Sequence, residues 1–316
     1  MKHIAESPLL TMARSGRARG AWYAVLTACM VLPIALLAQL PLGITAAIIG
    51  FLVYGSQAIT ELLQLTSTIP GLLVTLIAGF LPIYFLCWLW VWAFERRSYW
   101  SLGLPKARAV GRYATGALVG LVMFAASVAL VGAPGMLTFE AESGGLRGLA
   151  AFAPIALILV GWVVQGAAEE VLCRGLILPV VGARFGVVAG VVVSSLVFAL
   201  LHGINPGITA LALLNLALFG VFTAVYALRE GGIWGVCALH STWNWAQGNI
   251  FGLQVSGSDS SPATIVDLAE NGPDWFTGGS FGPEGGLAVT VVLLVATLLA
   301  YRFVGRAATI PYLTRV

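Results

Sequence analysis

The residues able to do chemistry in this chain are few, and most lie in one stretch. Gln165-Gly166-Ala167-Ala168-Glu169-Glu170-Val171-Leu172-Cys173-Arg174 sets two adjacent carboxylates and an arginine inside an apolar run from Leu149 to about Val181. A run of that length reads as a membrane-spanning helix. Ionisable groups at membrane depth are costly, so each needs a partner or a task. On a helix Glu170 and Arg174 are four apart and share a face, in the order that favours an ion pair. Glu169 is rotated by about 100° from Glu170 and has no opposite charge at helical spacing. The expected division of labour is that Glu170 and Arg174 neutralise each other and support the fold, while Glu169 faces something else.

The histidines indicate what that is. There are three. His3 lies in the amino-terminal tail and is read as incidental. His202 ends the apolar run Val191–Leu201, with Phe198 four residues earlier on the same face. His240 is followed one turn later by Asn244, so the two side chains project together. With Arg184 and Arg229 as markers of one membrane surface, a rise of ~1.5 Å per residue puts Glu169 roughly 22 Å, His202 roughly 27 Å and His240 roughly 16 Å deep. Tilted helices can bring such depths together. Each group also has a structural reading, because polar residues bond across helices in membrane bundles. Trp243 and Trp245 are read as packing or interface residues. Taken together, Glu169, His202, His240 and Asn244 concentrate nearly all the uncompensated intramembrane polarity in three helices.

The elements that must hold them follow from composition. Of 316 residues, 59% are hydrophobic and 9% charged, with mean hydropathy +0.95. Soluble domains carry about 25% charge, so the expectation is an all-α, polytopic membrane helix bundle with lipid around it. A net charge of +3 gives no reason to expect a nucleic-acid partner. Cys29, Cys87, Cys173 and Cys237 lie in apolar segments without CxxC spacing and read as small buried hydrophobes.

Apolar segments at 21–42, 71–94, 112–133, 149–178, 186–203, 208–228, 233–250 and 286–304 give about eight transmembrane helices. The stretch Leu42–Tyr54 is read as interfacial or re-entrant, because Pro33, Pro41 and Gly43 interrupt it. Lys2, Arg14, Arg17 and Arg19, then Arg96, Arg97, Lys106, Arg108 and Arg112, then Arg184, Arg229, Arg302, Arg306 and Arg315 fall on one side. Glu61, Glu140, Glu142, Asp259, Asp267, Glu270, Asp274 and Glu284 fall on the other, with Arg147 the one base there. The positive-inside rule then places both termini in the cytoplasm. The first apolar segment has no convincing cleavage site and is read as a retained helix. Trp88, Trp90, Trp92 and Trp100 read as an interfacial belt. The expected units are a basic tail (1–20), amino-terminal spans (21–148), a helical core that carries the polar residues above (149–250), a non-cytoplasmic loop (251–285), and a last span with its tail (286–316).

Glu169-Glu170-x-x-x-Arg174, Phe198-x-x-x-His202 and His240-x-x-x-Asn244, in order on successive apolar helices, resemble the three-motif signature of the CPBP family. These are the CAAX prenyl endopeptidases and bacteriocin-processing enzymes, also called Abi proteins. The resemblance covers about residues 150–250. It implies hydrolysis of a peptide bond in a membrane-associated protein or peptide, with Glu169, His202, His240 and Asn244 as catalytic residues and Glu170 and Arg174 as support. Glu169, helped by His202, is expected to take a proton from water, and His240 and Asn244 to stabilise the oxyanion. No cofactor is required in that reading. Older descriptions of the family as metalloproteases keep zinc open, with Glu169, His202 and His240 as ligands and water in the fourth position. Buried acids and histidines also occur in proton-coupled transporters, and the same bundle can serve as a non-catalytic immunity or scaffold protein.

Overall fold

The computed structural model describes residues 6–16, 20–140, 145–258 and 261–304. Lys2, His3, Arg17, Arg19, Glu142, Asp259, Arg306 and Arg315 lie outside the described residues.

The chain is a helix bundle, as its composition requires. Its helices are α1 (Pro8–Arg14), α2 (Ala21–Cys29), α3 (Val31–Tyr54), α4 (Ala58–Thr66), α5 (Ile69–Ala78), α6 (Leu81–Trp90) and α7 (Ala109–Gly132). They continue as α8 (Phe152–Glu170), α9 (Leu178–Phe185), α10 (Val187–Leu201), α11 (Ala210–Glu230), α12 (Trp234–Trp245), α13 (Asp274–Thr277) and α14 (Leu287–Phe303). Several merge into longer rods. Among the described residues five are long and apolar enough to cross a membrane: Ala21–Leu62, Ile69–Glu95, Ala109–Gly132, Gly148–Phe185 and Ala210–Glu230. The shorter apolar helices α10 and α14, and α12 with its π-helical extension Ala246–Ile250, complete the set that the apolar segments mark. Sequence sets the ends. Thr68 Oγ1 accepts from Gly71 N at 3.2 Å to open α5, and Thr209 Oγ1 accepts from Ala212 N at 3.1 Å to open α11. Gly231 closes α11 at φ +73°, a left-handed position that glycine occupies without strain.

The interior is built around α12. It packs against α7 and α8, and every residue from Gly235 to Asn244 is buried. Small residues allow this. A Cβ on Gly120 of α7 would strike the Leu239 carbonyl, and one on Gly166 of α8 would meet Ser241 N at 2.8 Å. Without a hydrophobic drive between helices in lipid, such close backbone approach is a main source of association.

Several expectations are corrected. The apolar run through Leu42–Tyr54 is not interrupted at Pro33, Pro41 or Gly43. It is the second half of α3, which passes through Pro41 unbroken. The break falls earlier, at Met30 between α2 and α3. A proline costs one helical hydrogen bond, which membrane helices tolerate. Within the basic tail, α1 buries Leu9 and Leu10, and Ser7 Oγ donates to Leu228 O at 2.8 Å. Trp90 is buried and stacks on Tyr23, with centroids 6.2 Å apart, whereas Trp88, Trp92 and Trp100 are exposed as a belt would be. Cys29 is exposed, unlike the other three cysteines.

The two long loops meet at one end. β1 (Leu137–Phe139) pairs antiparallel with β4 (Leu268–Glu270), and β2 (Leu146–Arg147) pairs parallel with β3 (Ala263–Thr264). Arg147 Nη2 binds Asp267 Oδ2 at 2.7 Å, so the one base expected among these acids is paired. The opposite end gathers the basic segments. Ile233 N donates to Gly103 O at 2.7 Å, and Arg229 Nη2 to Val304 O at 2.9 Å.

Candidate active site

Helix α8 delivers both acids at its carboxyl end. Its α register stops at Glu170, and a π-helical stretch, Val171–Ile177, leads into α9. Such turns are rare and tend to sit at functional positions. Arg174, inside that stretch, still reaches back one turn, donating from Nη1 to Glu170 Oε1 at 3.1 Å. Both side chains are fully buried. The guanidinium carbon also lies 4.5 Å from the Phe198 ring centroid. Its desolvated charge therefore meets a carboxylate on one side and a π face on the other.

Glu170 has a second partner. His240 Nδ1, from α12, lies 2.9 Å from Glu170 Oε1. A carboxylate only accepts, so Nδ1 is the donor and Nε2 is turned the other way. His202 directly follows α10, and its Nδ1 lies 2.9 Å from Phe198 O. The same reasoning makes that nitrogen the donor. The two Nε2 atoms converge, each 3.9 Å from Glu169 Oε2. Among the described residues Glu169 Oε2 has no hydrogen-bond partner. The other oxygen, Oε1, accepts from Gln165 Nε2 at 2.6 Å. Gln165 Oε1 in turn accepts from Asn244 Nδ2 at 3.0 Å.

All four residues expected to act on a substrate thus line one cavity of about 690 Å³, while Glu170 and Arg174 lie behind it. Side-chain exposure separates the two groups. Glu169 and His202 keep 12% and 14%, and Glu170 and Arg174 keep none. The cavity wall is apolar toward α3 and α5, through Leu32, Leu36, Leu72 and Leu76.

Two residues there escaped sequence reasoning. Gln165 has a local signal, since it stands four residues before Glu169 on the same helix face. Its bond to Asn244 is cross-helix and leaves no trace in spacing. Glu284 comes from the loop after α12. Its carboxylate accepts from Ser256 N at 2.8 Å, Ser256 Oγ at 2.6 Å and Trp243 Nε1 at 3.2 Å. That loop therefore forms one wall of the cavity. Trp243 is buried, as a packing residue should be, and lines the cavity as well.

Glu169, His202 and His240 are donors of the types that hold zinc, and both imidazole Nε2 atoms stand 3.9 Å from Glu169 Oε2. Among the described residues no group of three or more His, Cys, Asp or Glu side chains is placed to hold a metal ion.

Residues 151–246 match the family model described as type II CAAX prenyl endopeptidase, Rce1-like. This segment is of the CPBP membrane-protease type. The matched CPBP segment runs from the start of α8 to the end of α12 and includes every motif residue above. It is less than half of the chain; α1–α7, the loop beyond Ile250 and α14 lie outside it. No curated protein and no solved structure matches the chain.

Proposed function

We propose that this chain is an intramembrane endopeptidase, hydrolysing a peptide bond of a membrane-associated protein or peptide of CAAX or leader-peptide type. The observation that carries the reading is the convergence of both imidazole Nε2 atoms on the unpartnered Oε2 of Glu169. The family match over the same helices supports it.

The steps follow from the donors and acceptors. Water at this locus donates one hydrogen bond to Glu169 Oε2 and the other to His202 Nε2. Glu169 takes a proton as the water oxygen attacks the scissile carbonyl carbon. The carbonyl oxygen becomes an oxyanion and meets N–H donors from His240 Nε2 and Asn244 Nδ2. His240 can donate there only when its ring carries both protons, and the Glu170 carboxylate at Nδ1 stabilises that cation, as a buried acid does behind a catalytic histidine. Glu169 then returns its proton to the leaving nitrogen as the C–N bond breaks. The products are a carboxylic acid and an amine, and no covalent enzyme intermediate is needed. Zinc plays no part in these steps.

The test is a proteomic comparison of membranes containing the wild-type chain with membranes containing Glu169→Ala. The expected result is one or more membrane peptides shortened only in the wild type. Identical peptide sets, with proton-linked uptake by the wild type in proteoliposomes, would replace this reading with a transporter.

A further inference from the structure

Several buried polar groups play no part in these steps, and most tie elements together. Tyr23 and Arg97 flank Glu95 at 2.8 and 2.6 Å. Glu230 accepts from Gly235 N at 3.2 Å at the start of α12. Glu284 fastens the loop wall to Trp243. Gln165 differs, because both its partners are residues proposed to act on substrate.

We propose that Gln165 is a positioning residue: it selects which oxygen of Glu169 serves as base and which side of the Asn244 amide faces the oxyanion. The proposal rests on the protease reading above. The chain Asn244 Nδ2 → Gln165 Oε1 and Gln165 Nε2 → Glu169 Oε1 runs in one direction only. A carboxylate has no proton to give, so the Gln165 amide must present nitrogen to Glu169 and oxygen to Asn244. Asn244 must then present its NH₂ group toward Gln165, which settles an amide orientation that heavy-atom positions alone leave ambiguous. One Nδ2 hydrogen is taken by Gln165 and the second remains for the oxyanion.

The same chain holds Glu169. With Oε1 bound at 2.6 Å, the plane of the carboxylate is held so that its other oxygen faces the imidazoles. The geometry depends on the helix approach beside it. Gly166 adjoins Gln165, and its contact with Ser241 brings α12 close enough for Asn244 to reach across. Without Gln165 the Asn244 amide is free to flip and offer its oxygen to a developing negative charge.

The experiment has two arms. In the kinetic arm, Gln165→Met keeps side-chain length and removes both hydrogen bonds. It is expected to lower kcat by about 10²-fold, the scale of a misplaced reacting group, with KM and melting temperature unchanged. In an Asn244→Ala background the same change should cost less than in the wild type, because the part that acts through Asn244 is already lost while the hold on Glu169 remains. A wild-type kcat for Gln165→Met overturns the positioning role, and full additivity with Asn244→Ala overturns its action through Asn244.

The second arm reads the network without turnover. In protein labelled with ¹⁵N-glutamine, the Gln165 side-chain amide is the signal absent from Gln165→Met. It should shift in both Glu169→Ala and Asn244→Ala. A signal unmoved in either overturns the hydrogen-bond chain. Wild-type protein without peptidase activity strikes down the protease reading and the catalytic consequence with it, while the amide signals still decide the chain itself.

Discussion

Glu170 serves two partners with one oxygen, Arg174 at 3.1 Å and His240 at 2.9 Å. Removing it leaves a buried guanidinium without its counter-charge and His240 Nδ1 without its acceptor. Loss of one partner from a buried pair costs on the order of 3–5 kcal/mol. Glu170→Ala should therefore lower both the melting temperature and the folded yield in detergent, along with activity. Unchanged stability with complete loss of turnover would make Glu170 a participant in the chemistry. Asn244 should behave differently. Asn244→Ala removes one oxyanion donor and should lower kcat by about 10²–10³-fold with the fold intact. Exhaustive chelation should leave peptidase activity unchanged, and elemental analysis should find no stoichiometric zinc. Activity lost on chelation and restored by added zinc would replace the metal-free mechanism.

What was legible at this scale was local. The Glu170–Arg174 pair, the Phe198–His202 contact and the His240–Asn244 turn all depend on i,i+4 geometry, which a sequence displays directly. The meeting of Glu169 with His202 and His240 was legible only as tolerable depths. The handover from Asn244 to Gln165 was not legible, because nothing in either helix's own pattern encodes the other's rotation.

Among the elements, the approach of α8 to α12 decides whether these side chains meet. A Cβ at Gly166 would stand 2.8 Å from Ser241 N and 2.9 Å from Ser241 Oγ, one residue from His240. Gly166→Val should part the two helices and abolish cleavage with reduced yield, read by size-exclusion profile and activity. The segments legible as spans were those with long uniform hydropathy. Pro41 misled because proline and glycine are breakers in water, whereas a membrane helix accepts them. The loop wall is legible in the sequence only as a connection over 251–285, since its order comes from long-range bonds. Asn215 Nδ2, for example, donates to the carbonyls of Glu284 and Gly286 at 2.8 and 2.9 Å.

That wall also carries a pH dependence. Burial pushes the Glu270 carboxyl up to about 7 from its ordinary 4.5, against hydrogen bonds from Thr277 and Gly279 that pull it down, and Asp274 adds a small upward push. The folded wall thus favours the protonated acid. Its contribution to stability is complete below about pH 4.5 and is lost as pH rises through 7. Hydrogen exchange over residues 261–285 should be faster at pH 8 than at pH 5 after correction for intrinsic rates, and Glu270→Gln should remove the difference. Equal corrected rates in the wild type would contradict this.

At the scale of the whole molecule, the bundle has two distinct ends. β1–β4 and β2–β3 join the loops on either side of α8–α12. Those pairings place the two loops at the same end of the bundle. Ser7, Gly103, Arg229 and Val304 gather at the other end through the contacts described above. We propose that this second, basic end is cytoplasmic, as the distribution of arginines implies. Reporters fused at either terminus should report cytoplasm, and one inserted at Asp267 should report the opposite compartment. A cytoplasmic signal at Asp267 would overturn the orientation.

In the proposed mechanism Glu169 activates water at the locus it shares with His202 and His240. That role is tested most directly by purified, reconstituted Glu169→Gln. This change keeps the side chain's shape and removes the base. The expected result is a melting temperature close to wild type and no detectable cleavage of a membrane peptide that the wild-type chain processes. Cleavage by folded Glu169→Gln at the wild-type rate would contradict it.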